Sequence, residues 1–187
     1  VVAGSTPGNN SVSADIRRLS AIYFGGTIGR TEREFDNNNP GGKDYTPSRV
    51  ENNYIHIVSD GTTRRVGGIL GYGQYADVQN NYVYGNATGG DYTGGLVGFV
   101  GSNLNISNCY YVNGMAKSAW GYNTHHNAVH DYSTFQGEGM NVILTERVNG
   151  HTNLLRALNR WVFNHGDSIY LTWRSADIGE NSGYPVF

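Results

Sequence analysis

Cysteine, lysine and proline are scarce in this chain of 187 residues. The single cysteine, Cys109, excludes an intramolecular disulfide framework and a zinc site built from cysteines. Only 15% of the residues are charged and the net charge is −2, so nothing favours binding to nucleic acid or to an anionic membrane surface. No apolar run approaches the roughly 20 residues of a transmembrane helix, so we expect a chain that does not span a membrane.

Glycine, asparagine and tyrosine are abundant instead, with 27, 22 and 14 copies. Helical bundles and coiled coils are rich in Ala, Leu, Glu and Lys, so this composition excludes them. The aromatic residues supply large side chains for burial, which disordered chains lack. The composition therefore predicts an all-β fold with many turns.

Two short elements recur in alternation along the chain. Val50–Ile55, Val78–Val83 and Ile106–Tyr111 follow one another at a spacing of 28 residues. Between them, Val66–Gly71 recurs as Thr93–Gly98 after 27 residues. A period of about 28 residues that contains several short strands predicts the coils of a parallel β-helix. An antiparallel sandwich is the alternative, although that fold gives no reason for the repeat.

A weaker copy of the second element is expected before these: Arg17–Ile22 resembles Arg64–Ile69, which predicts an insertion near 31–46. Stacked coils place equivalent residues above one another. At one bend we therefore expect a ladder of side-chain amides, formed by Asn52, Asn80 and Asn108. Inside, we expect an apolar stack of Val50, Val78, Ile106, Ile69 and Leu96. Cys109 takes the place of Asn53 and Asn81 in the other repeats, which indicates an inward structural position.

The most complete repeat resembles the GLUG motif of bacterial surface proteins. The typical form of that motif is a Gly-Gly-Leu-x-Gly strand followed by Ile-x-Asn-Cys-Tyr. Gly95–Gly98 with Ile106–Tyr110 matches this form. The preceding repeat, Gly68–Gly71 with Val78–Tyr82, departs from it by an Ile for the Leu and an Asn for the Cys.

The ending Trp173–Phe187 is similar to the segment that often closes such arrays. The matching parts cover about residues 50–114 and 173–187. The resemblance implies a right-handed β-helix in a secreted or surface-anchored, adhesin-like bacterial protein. It implies no catalytic activity.

From Gly150 onward the pattern becomes helical. One helical face collects Leu154, Leu155, Leu158, Trp161 and Val162. Thr152 is the expected N-cap and Gly166 the expected stop. We interpret this amphipathic helix as part of a cap over the open end of the coils, with Trp161 buried and with Trp173 and Tyr184 packed near it. A partner-binding helix is the alternative.

These patterns predict one domain, 1–187, with four parts. The parts are an N-terminal linker or cap at 1–16, β-helix coils at 17–122, a loop-rich connection at 123–149, and a capping helix with a closing strand at 150–187.

Two segments contain residue types that bind metals. His126 and His130 are four residues apart, which on a helix would place two imidazoles on one face, but an exposed polar loop is the favoured interpretation. Asp36 and Asn38 lie near a glycine turn, as the ligands of calcium loops do, yet the EF-hand pattern fails at Pro40. A solvated insertion loop is favoured there, and we expect no cofactor.

One aromatic column is a candidate ligand site. Tyr54, Tyr82 and Tyr110 occupy equivalent positions of the three repeats. If they point outward, they form a rigid amphipathic surface that suits stacking on sugar rings or burial against a protein partner. The alternative is that stacked rings only stabilise neighbouring coils.

No carboxylates, nucleophiles or phosphate-binding loops occur in a recurring catalytic pattern. We therefore expect a non-catalytic, extracellular or cell-surface binding protein of the adhesin type. Its expected partner is a glycan or a host or bacterial surface protein, and the chain is expected to be a monomer or part of a larger surface protein. The alternatives are a carbohydrate-active β-helical enzyme (a polysaccharide lyase or hydrolase), with its acids assembled from different coils, and a structural stalk module.

Overall fold

The computed structural model describes residues 11–16 (as backbone), 23–31, 47–59, 61, 63–124, 131–137, 141–165 and 170–187. Short strands separated by bends make up most of this part of the chain. The strands are β1 Ser11–Ile16, β2 Tyr23–Gly25, β3 Ile28–Arg30, β4 Ser48–Glu51, β5 Tyr54–Ser59, β6 Arg65–Gly67, β7 Leu70–Gly73, β8 Ala76–Gln79, β9 Tyr82–Asn86, β10 Tyr92–Gly94, β11 Val97–Val100, β12 Leu104–Ser107, β13 Cys109–Val112, β14 Trp120–Asn123, β15 Tyr132–Gln136, β16 Ile143–Val148 and β17 His151–Asn153. One α-helix, α1, spans Leu154–His165, and a 3-10 turn spans Asn181–Gly183.

The strands form four sheets in which sequence-distant strands are neighbours. Their orders are β1-β5-β9-β13-β15-β16-β17, β10-β6-β2, β14-β11-β7-β3 and β12-β8-β4. Among the strands of the described residues, the pairings are parallel except β15 with β16 and β16 with β17, which are antiparallel. This parallel arrangement confirms a mostly β fold with a C-terminal helix and excludes the antiparallel sandwich. Strand β1 belongs to the segment expected to be a linker or cap, and β15 and β16 belong to the segment expected to be loop-rich.

Equivalent residues of the predicted repeats are paired with each other in the sheets. Val78 pairs with Val50 on one side and with Ile106 on the other, at the predicted spacing. All three are buried in one apolar core with Ile69 and Leu96, as expected. Buried and half-buried residues alternate along β5 and β8, as expected where one face of a strand lies against the core.

The earliest copy of the Gly-Gly element lies elsewhere than expected. Arg17–Ile22 is outside the described residues, and the segment that pairs with Arg65–Gly67 is Tyr23–Gly25. The copy is therefore Phe24–Gly29, which shares the Gly-Gly-x-x-Gly spacing. The register changes between the pairs Arg30↔Tyr72 and Ser48↔Ala76, which places the extra chain length where the insertion was predicted.

Close backbone approach explains why glycine recurs in this element. A Cβ on Gly67 would lie 1.9 Å from the carbonyl oxygen of Leu70 and 2.5 Å from the amide nitrogen of Gly98. A Cβ on Gly94 would lie 2.1 Å from the carbonyl oxygen of Val97. Only glycine leaves room for these contacts, which lie both within the bend and between neighbouring repeats.

The inward position of Cys109 is confirmed. The thiol is fully buried, and burial raises its pKa from 9.0 to about 12. In the two preceding repeats this place holds amides: Asn53 Nδ2 donates to Asn81 Oδ1 over 2.8 Å, and Asn81 Nδ2 donates to the Val50 carbonyl over 2.7 Å. The buried polar groups of this corner are thus satisfied from repeat to repeat.

Helix α1 begins at a different cap from the one expected. The Oδ1 atom of Asn153 accepts a hydrogen bond from the amide of Arg156 over 3.1 Å, whereas Thr152 lies within β17. Asparagine caps at least as well as threonine, so strand β17 runs directly into the helix. The helix ends at His165, and Gly166 is outside the described residues. Its buried residues are Leu154, Ala157, Leu158, Trp161 and Val162. The predicted apolar face included Leu155, which is only partly buried, and lacked Ala157, which is buried.

Among the described residues, no helix is long and apolar enough to cross a membrane.

Candidate functional site

The predicted tyrosine column exists, but it is covered. Tyr82 pairs with Tyr54 and with Tyr110 in the sheet register, and the rings of Tyr54 and Tyr82 stack with centroids 5.9 Å apart. The side chains point to the outer side of the largest sheet, yet Tyr82 and Tyr110 are fully buried. The column is therefore not an open ligand surface, which corrects that prediction.

The C-terminal residues form this cover. The Tyr82 hydroxyl donates a hydrogen bond to the Pro185 carbonyl and accepts one from Asn181 Nδ2 over 2.6 Å. The rings of Trp173 and Tyr82 have centroids 5.5 Å apart, and Phe187 lies 5.9 Å from Tyr54. Burial raises the pKa of Tyr82 and that of Tyr110 well above 10.0. We call residues 170–187 the strap, because they lie across the outer face of this sheet.

The C-terminal segment covers the outer face of the largest sheet. Trp161 is buried, as predicted, in the same apolar cluster as Trp173 and Tyr184. That cluster lies on the outer face of the largest sheet, with Tyr82, Tyr110 and Phe135 at its base. The apolar face of α1 is buried in that cluster.

The asparagine ladder is confirmed. Asn80 Nδ2 donates to Asn52 Oδ1, and Asn108 Nδ2 donates to Asn80 Oδ1, both over 2.6 Å. Their φ angles are 53°, 53° and 50° for Asn52, Asn80 and Asn108, in the left-handed region that asparagine tolerates best after glycine. The Tyr110 hydroxyl ends the ladder with a bond to Asn108 Oδ1 over 2.7 Å. This bend is structural, since each of the three side-chain amides donates a hydrogen bond to another group of the chain.

The metal candidates lie outside the described residues: His126, His130, Asp36 and Asn38. Within the described part of the chain, no three His, Cys, Asp or Glu side chains are grouped as metal ligands.

A polar groove of about 450 Å³ separates α1 from the asparagine ladder. Asp131, His151 and His165 are among its lining residues. Asp131 is the one carboxylate among the described residues that line it, whereas glycoside hydrolysis ordinarily uses two. The groove therefore offers no pair of carboxylates among its described lining residues.

A second aromatic surface consists of residues that were not predicted as a site from the sequence. In the sheet β14-β11-β7-β3, the register aligns Arg30, Tyr72, Phe99 and Tyr122. In the adjoining sheet β10-β6-β2, it aligns Tyr23, Arg65 and Tyr92. The Gly-Gly bend joins these sheets, so the two columns become neighbours. We call these seven residues the arginine–aromatic face.

The rings of this face contact one another in series. Tyr72 and Phe99 are stacked at 5.2 Å between centroids, and Phe99 lies 5.1 Å from Tyr122. Tyr92 lies 5.1 Å from Tyr122 and meets Phe99 edge-on at 5.7 Å. Unlike the covered column, this surface ends in an open ring, because Tyr122 is 45% exposed.

Arg65 lies at the centre of the face, with its Cζ 4.7 Å from the Phe99 ring centroid and 4.8 Å from that of Tyr23. At these distances a guanidinium is attracted to the ring faces. Arg30 approaches Tyr23 and Tyr72 in the same way, at 5.3 Å and 5.2 Å. The face therefore combines apolar rings with positive charge.

A sequence signal for this face was present. An arginine or aromatic residue follows the last glycine of each Gly-Gly-x-x-Gly copy, as in Gly71-Tyr72 and Gly98-Phe99, and Gly121-Tyr122 continues the series. The position after that glycine points outward because the residue that follows it, Gly73 or Val100, faces the core, and successive residues of a strand point to opposite faces.

Comparisons of the chain with protein-family models, with curated protein sequences and with solved structures gave no match.

Proposed function

We propose that this chain is a non-catalytic binding protein of the bacterial cell surface or its surroundings, and that its ligand site is the arginine–aromatic face. The observation that carries the proposal is the open aromatic row that ends at Tyr122. Exposed, mutually packed rings are rigid and amphipathic, so they bind with little loss of conformational entropy. Such rows suit the apolar C–H faces of sugar rings, and a glycan is the proposed ligand.

The proposed role is binding without catalysis. Cys109 is buried with a raised pKa, so it is not a nucleophile at neutral pH. The groove beside α1 contributes a single carboxylate, Asp131. The arginine–aromatic face itself carries no carboxylate or thiol.

The handedness of the coils is part of the same proposal. We infer that the parallel strands wind as a right-handed β-helix, because connections between parallel strands of one sheet are right-handed in about 98% of cases. The register of about 28 residues and the GLUG-like copies support kinship with repeat proteins of bacterial surfaces. An extracellular location follows from that kinship.

A glycan array with three versions of the protein tests the proposal. The versions are the wild type, Tyr122→Ala in the face, and Phe163→Ala as the control. Phe163 is 75% exposed on α1 and is not one of the seven residues of the face. Its replacement therefore removes an exposed aromatic ring, as Tyr122→Ala does, but outside the proposed site. We expect glycans bound by the wild type to be lost by Tyr122→Ala and retained by Phe163→Ala.

Two results count against the proposal. Equal binding by wild type and Tyr122→Ala places the site elsewhere. If chromatography shows that the protein converts a bound glycan into shorter products, the chain is an enzyme instead.

A further inference from the structure

We propose that the arginine–aromatic face is selective for an acidic saccharide, whose carboxylate is held by Arg65. This inference rests on the proposed function, which assigns glycan binding to the face, and it adds the chemical class of the ligand. The evidence is the environment of one side chain.

Arg65 is enclosed by aromatic rings. Besides Phe99 and Tyr23, the rings of Tyr92 and Tyr72 lie 5.7 Å and 5.9 Å from its Cζ. Its Nε atom is buried and has no hydrogen-bond partner among the described residues. Ring faces compensate part of the desolvation of a cation, but they do not accept the hydrogen bonds of its donors as an oxygen does.

The neighbouring arginine shows what Arg65 lacks. Arg64 Nε donates to Asp91 Oδ2 over 2.6 Å in an exposed ion pair. No carboxylate of the described residues forms an ion pair with Arg65. A partly buried charge without a counter-ion is costly, so an anion from outside the chain gains more at Arg65 than at an exposed arginine. The planar guanidinium fork matches a carboxylate in a bidentate geometry.

The rings around this cation favour a sugar over a simple anion. The row from Arg30 to Tyr122 crosses four strands, a length of roughly 14 Å at the usual strand spacing of about 4.8 Å. Such a row suits an elongated oligomer, and a uronate-type sugar carries its carboxylate on the same ring as its apolar C–H groups. One sugar unit of such an oligomer can therefore both pair its carboxylate with Arg65 and stack its C–H groups on the aromatic rings.

Calorimetric titration of the full chain with tetragalacturonate and with its methyl ester tests this. The ester keeps every ring and removes the charges. We expect the wild type to bind the free acid roughly tenfold or more tighter than the ester, the gain typical of one charge-assisted hydrogen-bond pair. Arg65→Gln should reduce acid binding to the level of the ester, and Arg65→Lys should restore part of it. Arg64→Gln, one residue away and already paired in the wild type, should change affinity by less than about twofold.

The outcomes separate this inference from the proposal beneath it. Equal affinity for acid and ester overturns selectivity for acidic saccharides and leaves glycan binding in place. Binding of neither ligand, together with an empty glycan array, overturns both. Equal binding of hexaglutamate shows that charge alone is recognised, which overturns the assignment to a sugar. The circular dichroism spectrum shows whether Arg65→Gln folds. If it does not, Arg65→Lys still tests the role of the guanidinium, because it keeps a cation among the rings.

Discussion

The indole Nε1 of Trp173 donates a hydrogen bond to Oδ1 of Asn52 over 2.7 Å. Asn52 begins the asparagine ladder, and its own Nδ2 donates to the Leu171 carbonyl over 3.1 Å. The same Oδ1 also accepts from Asn80. The strap is therefore bonded to the first member of a ladder that crosses three repeats, which links two parts of the chain about 120 residues apart.

Replacing Asn80 by alanine should lower the free energy of unfolding by about 3 kcal/mol. The change removes the central amide of the ladder, strands the amide of Asn108, and leaves alanine at a φ of 53°. Urea unfolding followed by tryptophan fluorescence measures the loss.

Asn149→Ala is the matched control for Asn80→Ala. Asn149 has a φ of 49° but is exposed at the turn between β16 and β17. Its replacement should cost only the left-handed backbone, about 1 kcal/mol. Equal losses for the two variants would show that the ladder contributes nothing beyond backbone conformation.

The thiol of Cys109 should resist alkylation by iodoacetamide at pH 8 in the folded protein and react once urea is added. Its folded pKa of about 12 lies above the ordinary 9.0, so the folded thiol stays protonated at pH 8. Rapid modification of the folded chain would contradict the buried position.

The same shift predicts a loss of stability in alkali. Between pH 9 and 12 the unfolded thiol loses its proton while the folded one keeps it, so stability is full below pH 9 and falls as the pH rises. Cys109→Ala should reduce this slope in urea titrations. Part of the slope should remain, because Tyr82 and Tyr110 also have raised pKa values.

Gly67→Ala should lower the free energy of unfolding by about 3 kcal/mol, because the new Cβ would meet backbone atoms of two repeats. Gly90→Ala serves as the control. Gly90 is exposed, and the nearest atom to its added Cβ is 3.5 Å away. Its replacement should change stability by less than about 0.5 kcal/mol, and a similar loss in both variants would refute the close-approach argument.

The repeat made the register of the sheets predictable. Once Val50, Val78 and Ile106 were aligned, the stacking of equivalent residues followed from strand geometry, and the ladder of Asn80 followed with it. The alignment of Arg17–Ile22 was wrong because it compared side-chain types. The Gly-Gly spacing, which close backbone contact enforces, identifies Phe24–Gly29 instead.

The repeat pattern could not predict that Tyr82 is covered. An outward position says nothing about what lies over it, and the strap that buries Tyr82 comes about 100 residues later. The open face around Tyr122 had a local signal, but only the sheet topology brings Arg65 beside Phe99. Local spacing thus predicts columns, whereas contacts between distant segments decide which column stays open.

Truncation after Gly150 should yield protein that aggregates. The shortened chain lacks β17, α1 and the strap, so Tyr82, Tyr110 and Phe135 lose the apolar cluster that buries them. It also leaves β16 as an unprotected sheet edge, which favours association between chains. Size-exclusion chromatography measures the state, with full-length Phe163→Ser as the control for a change on the exposed side of α1. A truncated chain that stays monomeric with unchanged stability would instead make residues 151–187 a detachable partner-binding arm.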